Sequence, residues 1–269
     1  MIDCKKYADE ILDEIKRGVE SGEIKGSLAV ISVGDDEASK IYIRGKKKDC
    51  ESVGFGFTEY HFEADADKMD ILHKIYELND DKTVTGIIVQ LPLPASLEPH
   101  RRLILDSVRP DKDVDGFNRF DPVYKPCTPD GIVYLLKKEL GTLENKNVTI
   151  LGRGDLVGKP LSKMLLEENA NVTVCHSHTS IWNIHNLTSY ADVIISAVGI
   201  QERWRGWEFG ANHSAIIIDC GVHRLESGRI VGDCVCDNYC NKTPVPGGVG
   251  LLTRAMLIKH VARNVEKQI

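Results

Sequence analysis

VTILGRGDLVGKP, residues 148–160, decides the fold. An aliphatic run of strand length enters Gly152, Gly154 and Gly158, and the apolar spacing beyond them predicts a helix from Lys159 to Glu168. Strand, glycine turn and helix in that order open a nucleotide-binding βαβ unit. Gly152 permits the tight turn, Gly154 lets the backbone approach a pyrophosphate, and the helix N-terminus offers unpaired N–H groups and positive partial charge to phosphate oxygens. The spacing, Gly-x-Gly-x-x-x-Gly, is one residue longer than the common fingerprint, so a plain strand-to-helix turn stands beside this reading.

The flanks repeat the pattern. Strands are predicted at 171–175, 192–198 and 215–220, with a helix near 181–190, as a doubly wound nucleotide-binding domain requires. The tip of its second strand, CHSHT (175–179), lacks the carboxylate that would bind an NAD ribose. Arg153 in the glycine turn, with Ser177 and His178 at that tip, would instead meet a 2′-phosphate, which favours NADP. His176 and His178 read equally well as a solvated loop pair.

Upstream lies a second alternation: a helix over 2–20, the strand SLAVISV (27–33), a helix over 38–52, a strand over 55–62, a helix over 68–78, the strand TGIIVQL (85–91) and a helix over 97–108. Such alternation implies parallel pairing through right-handed crossovers. The pattern breaks at Pro122, Pro126 and Pro129, where Thr128 and Pro129 read as N-cap and first helical position. The expected architecture is therefore two α/β domains. A catalytic domain spans 1–119 and a Rossmann-type domain 120–249, with a C-terminal helix (250–269) returning to the first.

The 269 residues carry 34 Lys+Arg against 40 Asp+Glu, a net charge of −6, which argues against a general nucleic-acid binder. No apolar run approaches the length of a membrane span, and the opening MIDCKKYADE is charged where a signal peptide is apolar, so no membrane association and a cytoplasmic location are expected. Of eight cysteines, Cys234, Cys236 and Cys240, with Cys220 and His223, raise the question of zinc; without a Cys-x-x-Cys pair they read rather as small buried hydrophobes, and no metal is expected.

In VGDDEASKIYIRGKKKDCESVG (33–54), Tyr42 and Lys46 stand four apart, on one helical face. A buried lysine loses solvation of its charged form and can transfer protons near neutral pH. Taken alone, Lys46 reads as a solvated surface lysine beside Lys47 and Lys48, and Tyr42 as core packing.

Together with VQLPLP (89–94), KDVDGF (112–117), KPCTPDG (125–131), GRGDLVGKP (152–160), CHSHT and TPVPGGVG (243–250), this segment resembles the bifunctional methylenetetrahydrofolate dehydrogenase/methenyltetrahydrofolate cyclohydrolase family, FolD, from about Val33 to Thr253. The resemblance implies NADP-dependent oxidation of 5,10-methylenetetrahydrofolate and hydrolysis of the methenyl product to 10-formyltetrahydrofolate, in tetrahydrofolate interconversion and purine biosynthesis. It makes Lys46 the catalytic lysine, Tyr42 the substrate-stacking tyrosine, Gln90 their glutamine and Asp115 the pterin-binding aspartate. Val89, Leu91, Pro246, Gly247 and Gly248 would border the folate, in a cleft between the domains, and Gly152, Arg153, Gly154, Val157, Gly158, His176, Ser177 and Val222 the NADP. It implies a homodimer formed through the nucleotide-binding domains. Two departures stand out: Gly154 replaces a serine, removing a hydroxyl near the cofactor, and Leu251 replaces a proline, loosening its loop.

Overall fold

The structure, a computed structural model, describes residues 1–205, 208–209, 214–235 and 241–266. The chain divides into two compact units, Asp9–Cys127 with Arg254–Ile269, and Met1–Ala8 with Thr128–Thr253. The first boundary falls at Cys127/Thr128, eight residues beyond the 119/120 junction expected from the prolines. Residues 118–127 are tied to the first unit: Arg119 pairs with Asp106 at 2.7 Å, and Tyr124 stacks on His260. The division also falls inside the first and last helices, which sequence periodicity alone cannot locate.

In the first unit α1 (Cys4–Glu20), β1 (Ser27–Val33), α2 (Glu37–Val53), β2 (Gly56–Phe62), α3 (Lys68–Asp80) and β3 (Gly86–Val89) alternate, and a 3-10 turn (Glu98–His100) leads into α4 (Arg101–Asp106). The strands form a parallel sheet of order β2-β1-β3. β1 is apolar along nearly its whole length because both its faces are covered, whereas β2, at the edge, is largely exposed. Ile31, Ile71, Ile75, Ile87 and Ile104 centre the core. Two caps set α2: Asp36 accepts the Ser39 N–H at 2.7 Å, and Gly54 ends the helix at φ +83°, a left-handed conformation that suits glycine.

The second unit contains α5 (Cys127–Leu140), β4 (Asn147–Leu151), α6 (Gly158–Glu167), β5 (Asn171–Cys175), α7 (Ile181–Ser189) and β6 (Val193–Ser196). After β7 (Trp204–Arg205) come β8 (Ile216–Asp219), β9 (His223–Arg224), β10 (Ile230–Val231), β11 (Cys234–Val235) and α8 (Val249–Glu266). The main sheet is parallel in the order β5-β4-β6-β8, so β4 and β6 are central and β5 forms an edge. This order is doubly wound, as expected. α5 starts at Cys127, so Thr128 is helical rather than the N-cap; its hydroxyl instead meets that of Thr253 at 3.0 Å. Among the described residues no helix is long and apolar enough to cross a membrane.

Candidate active site

α2 carries Tyr42 and Lys46 on one face, and burial separates Lys46 from its basic neighbours. Lys46 is 7% exposed, while Arg44, Lys47 and Lys48 are exposed. Its Nζ donates to Gln90 Oε1 at 2.9 Å, and Gln90 Nε2 donates to the Leu91 carbonyl at 2.7 Å. The Ser39 hydroxyl reaches the same carbonyl at 3.3 Å. The glutamine is thus fixed at the C-terminal end of β3, preceding the cis Leu91–Pro92 bond, with its oxygen toward the amine. Burial pushes the Lys46 amine below the ordinary lysine range; the Asp115 charge opposes this, and the Arg254 guanidinium adds to it. The surface-lysine alternative is therefore wrong, because the surroundings of α2 rather than its charge run decide the burial of Lys46. Burial also raises the phenol of half-buried Tyr42, which stays protonated.

Asp115 is displayed by a turn whose other members are structural. Lys112 is 1% exposed and donates to the Leu78 carbonyl at 2.7 Å and that of Asp81 at 2.6 Å, closing the C-terminal end of α3. Asp113 accepts the Asn118 N–H at 2.6 Å, and burial pushes its carboxyl up to about 6. Gly116, at φ +76°, leaves no room for a Cβ, which would lie 2.6 Å from the Lys125 carbonyl carbon. Asp115 is half-buried, close enough for its charge to act on Lys46. Val89 is buried in β3. Gln90 also lines a cavity of about 500 Å³ with Ser32, Ser39, Arg44, Glu59 and His61.

In the other unit, a Cβ on Gly152 (φ +117°) would strike the Ala197 carbonyl, and one on Gly158 the Gly152 carbonyl. These glycines let the turn close against the sheet and the helix close against the turn. Gly154 faces open space. Val157, the residue before α6, makes no side-chain cap, and in the first turn the Lys159 N–H bonds to the Gly154 carbonyl at 3.1 Å. Arg153 and Ser177 are exposed; in the same loop His176 accepts the His178 N–H at 3.2 Å through Nδ1. This donor set fits a dinucleotide phosphate group. Val222 is half exposed beyond β8, and in the TPVPGGVG segment Gly247 has φ +93°.

Two groups of residues beside these sites were missed from sequence. Asp233, fully buried, accepts from Ser196 Oγ at 2.9 Å and from the N–H groups of Val198 and Gly199, and its other oxygen lies 2.9 Å from His223 Nε2. It ties the end of β6 to the segment after β8. Arg254 Nε lies 2.7 Å from Asp49 Oδ2, joining α8 to α2. No local pattern connects residues so far apart. Cys236 and Cys240, on which the zinc question partly rests, lie outside the described residues; among those described, no group of His, Cys, Asp or Glu could hold a metal ion.

A parallel dinucleotide-binding sheet, with a buried lysine–glutamine pair on a second α/β unit, defines a two-domain nucleotide-linked enzyme. Family models agree: residues 2–115 match the tetrahydrofolate dehydrogenase/cyclohydrolase catalytic domain and 126–269 its NAD(P)-binding domain. The chain is 38% identical to the bifunctional protein FolD of Agathobacter rectalis over 99% of both chains, and 40% identical to that of Lachnoclostridium phytofermentans over 99% of this chain and 98% of the relative. The crystal structure of FolD from Campylobacter jejuni matches with TM-score 0.90 at 37% identity, covering 99% and 98% of the two chains. That of Trypanosoma brucei FolD, complexed with NADP and an inhibitor, matches with TM-score 0.89 at 29% identity, covering 100% and 97%. The chain belongs to the FolD family. It is a bifunctional, NADP-dependent methylenetetrahydrofolate dehydrogenase and methenyltetrahydrofolate cyclohydrolase of one-carbon metabolism.

Proposed function

We propose that Lys46 is the proton-transfer residue of the hydrolysis and that Gln90, Tyr42 and Asp115 complete its site. The observation that carries this reading is the 2.9 Å bond from the buried Lys46 amine to Gln90. The Gly152–Gly158 turn would hold NADP⁺, which would supply the two-electron acceptor for the first reaction. Lone pairs on the folate nitrogens assist that oxidation, so the protein mainly contributes position. Hydrolysis needs more: water must lose a proton as it adds to the amidinium-like carbon. A neutral Lys46 amine can donate one N–H to Gln90 and keep its lone pair for that proton. Tyr42 stacks on the substrate. Asp115 accepts hydrogen bonds from the pterin amino and ring N–H groups, selecting ligands that carry those donors. Val89 and Leu91, flanking Gln90, border the folate. Methenyltetrahydrofolate offered to Lys46→Met should hydrolyse only at its spontaneous rate; catalysed turnover in that variant would remove Lys46 from the role.

For the cofactor we assign Gly152, Arg153, Gly154, Val157, Gly158, His176, Ser177 and Val222, with Arg153 and Ser177 on the 2′-phosphate; their exposure beside an uncapped helix supports this. Arg44, Lys47 and Lys48, exposed on α2, would attract the folate glutamate tail, so polyglutamylated substrate should have the lower KM at low salt. A homodimer through the nucleotide-binding unit is supported by the edge strand β5, which exposes Val174, and by exposed Leu166, Trp182 and Tyr190. Sedimentation at a monomer mass would refute it. Buried thiols at Cys4, Cys50 and Cys175, none in a disulfide, suit a reducing cytoplasm, and the 10-formyl product suits purine biosynthesis.

A further inference from the structure

Gly45 occupies the middle of α2, where glycine weakens a helix by about 1 kcal/mol relative to alanine, and its backbone does not have the positive φ that would require it. What fills the space of its missing side chain is Arg254. The three atoms nearest to where a Cβ would stand at that position all belong to the Arg254 side chain, two of them in the guanidinium. Asp49 holds that guanidinium through the 2.7 Å bond to Nε, with both side chains largely shielded from solvent. A helix position has been left bare for a cation that approaches next to Lys46.

We propose that Arg254, laid across Gly45 and pinned by Asp49, is a positioning residue that biases Lys46 toward its neutral, proton-accepting form. This rests on the role given to Lys46 above. The charged and titratable groups facing Lys46 are Asp115 on its turn, Cys127 at the start of α5, Cys50 further along α2, and Arg254 on α8. Burial pushes the Cys50 thiol up to about 12, so it brings no charge at neutral pH. Asp115 thus favours the ammonium and Arg254 disfavours it. Asp49, three residues along α2 from Lys46, is a second anion that Arg254 neutralises. Without the guanidinium the lysine would face the Asp115 carboxylate with no opposing cation, and Asp49 would lose its partner.

The experiment follows Lys46 by two routes in the intact protein. One is the pH dependence of kcat/KM for methenyltetrahydrofolate hydrolysis. The other is competitive acetylation with acetic anhydride across pH, read at residue 46 by mass spectrometry. Arg254→Gln should move both midpoints up by about one pH unit. Asp49→Asn, which keeps the cation and removes its counter-charge, should move both down; Arg254→Lys should restore the wild-type values. Gly45→Ala displaces the guanidinium without altering any charge, and should reproduce part of the upward shift if Arg254→Gln does not fold. A purely structural pair would lower thermal stability in every variant and move no midpoint, and acetylation midpoints equal to wild type in Asp49→Asn and in either Arg254→Gln or Gly45→Ala would overturn the inference. Acetylation midpoints that move while the hydrolysis limb stays fixed would uphold the pair and refute Lys46 as the base.

Discussion

Gln90 is the position where the proposed chemistry can be disturbed most selectively. Gln90→Glu is nearly isosteric and places a carboxylate where an amide oxygen now accepts from Lys46 at 2.9 Å. An opposite charge at that range raises an amine pKa by about 1–3 units. At two units, the neutral fraction of Lys46 below its midpoint falls about 100-fold, and hydrolysis falls with it. Each unit of added alkalinity should recover about tenfold until the new midpoint is reached. Gln90→Leu acts differently. It leaves the buried amine without its acceptor, at a cost of about 1–3 kcal/mol, or about 5- to 150-fold in the hydrolytic rate with no alkaline recovery. Ser39 still reaches the Leu91 carbonyl in both variants, so the loop beyond β3 keeps one of its anchors. The assay is initial-rate hydrolysis of methenyltetrahydrofolate above its spontaneous rate over the accessible pH range, beside the NADP-linked oxidation. Dehydrogenase activity should change much less in both variants. Wild-type hydrolysis at neutral pH in Gln90→Glu, or a loss that does not recover at high pH, would refute the reasoning.

Arg153→Ala should reduce the preference for NADP over NAD about five- to tenfold: a charge-assisted bond to phosphate contributes about 1.5–3 kcal/mol, and exposure discounts that to about 1 kcal/mol. Steady-state kinetics with both cofactors decide it, and an unchanged ratio rejects the assignment. Asp113 makes a prediction about stability. Its carboxyl rises from 3.8 to about 6 on folding because it is buried, so the native state binds the proton more tightly. The resulting stabilisation is complete below pH 3.8 and is lost as pH rises through about 6, amounting to about 3 kcal/mol. Asp113→Asn should flatten that part of the pH profile in urea melts, and an unchanged slope would show that the carboxyl titrates normally.

The sequence made the strands and the glycine turn readable because each is a local pattern. β4 and β5 begin and end where their aliphatic runs do, and Gly152 and Gly158 stand where a Cβ would strike backbone. The four-residue spacing of Tyr42 and Lys46 placed them on one face, but it could not show burial, which depends on what packs over α2. Lys112 shows the same limit: nothing in the run KDVDGF (112–117) reveals that it is the buried cap of α3. The helix expected over 97–108 is divided into a 3-10 turn and the short α4, with Pro99 in that turn. β7, β9, β10 and β11 have two residues each, too few to show any period. The Arg254–Asp49 and His223–Asp233 pairs depend on tertiary proximity that no local spacing reports.

The most direct test of the central claim is a single time course. Purified protein is mixed with 5,10-methylenetetrahydrofolate and NADP⁺, and the absorbances of the methenyl intermediate and of NADPH are followed together. The wild-type protein should form NADPH while the methenyl species appears and is consumed faster than it decays in buffer, and Lys46→Met should let that species accumulate. Consumption in Lys46→Met at the wild-type rate would contradict the account.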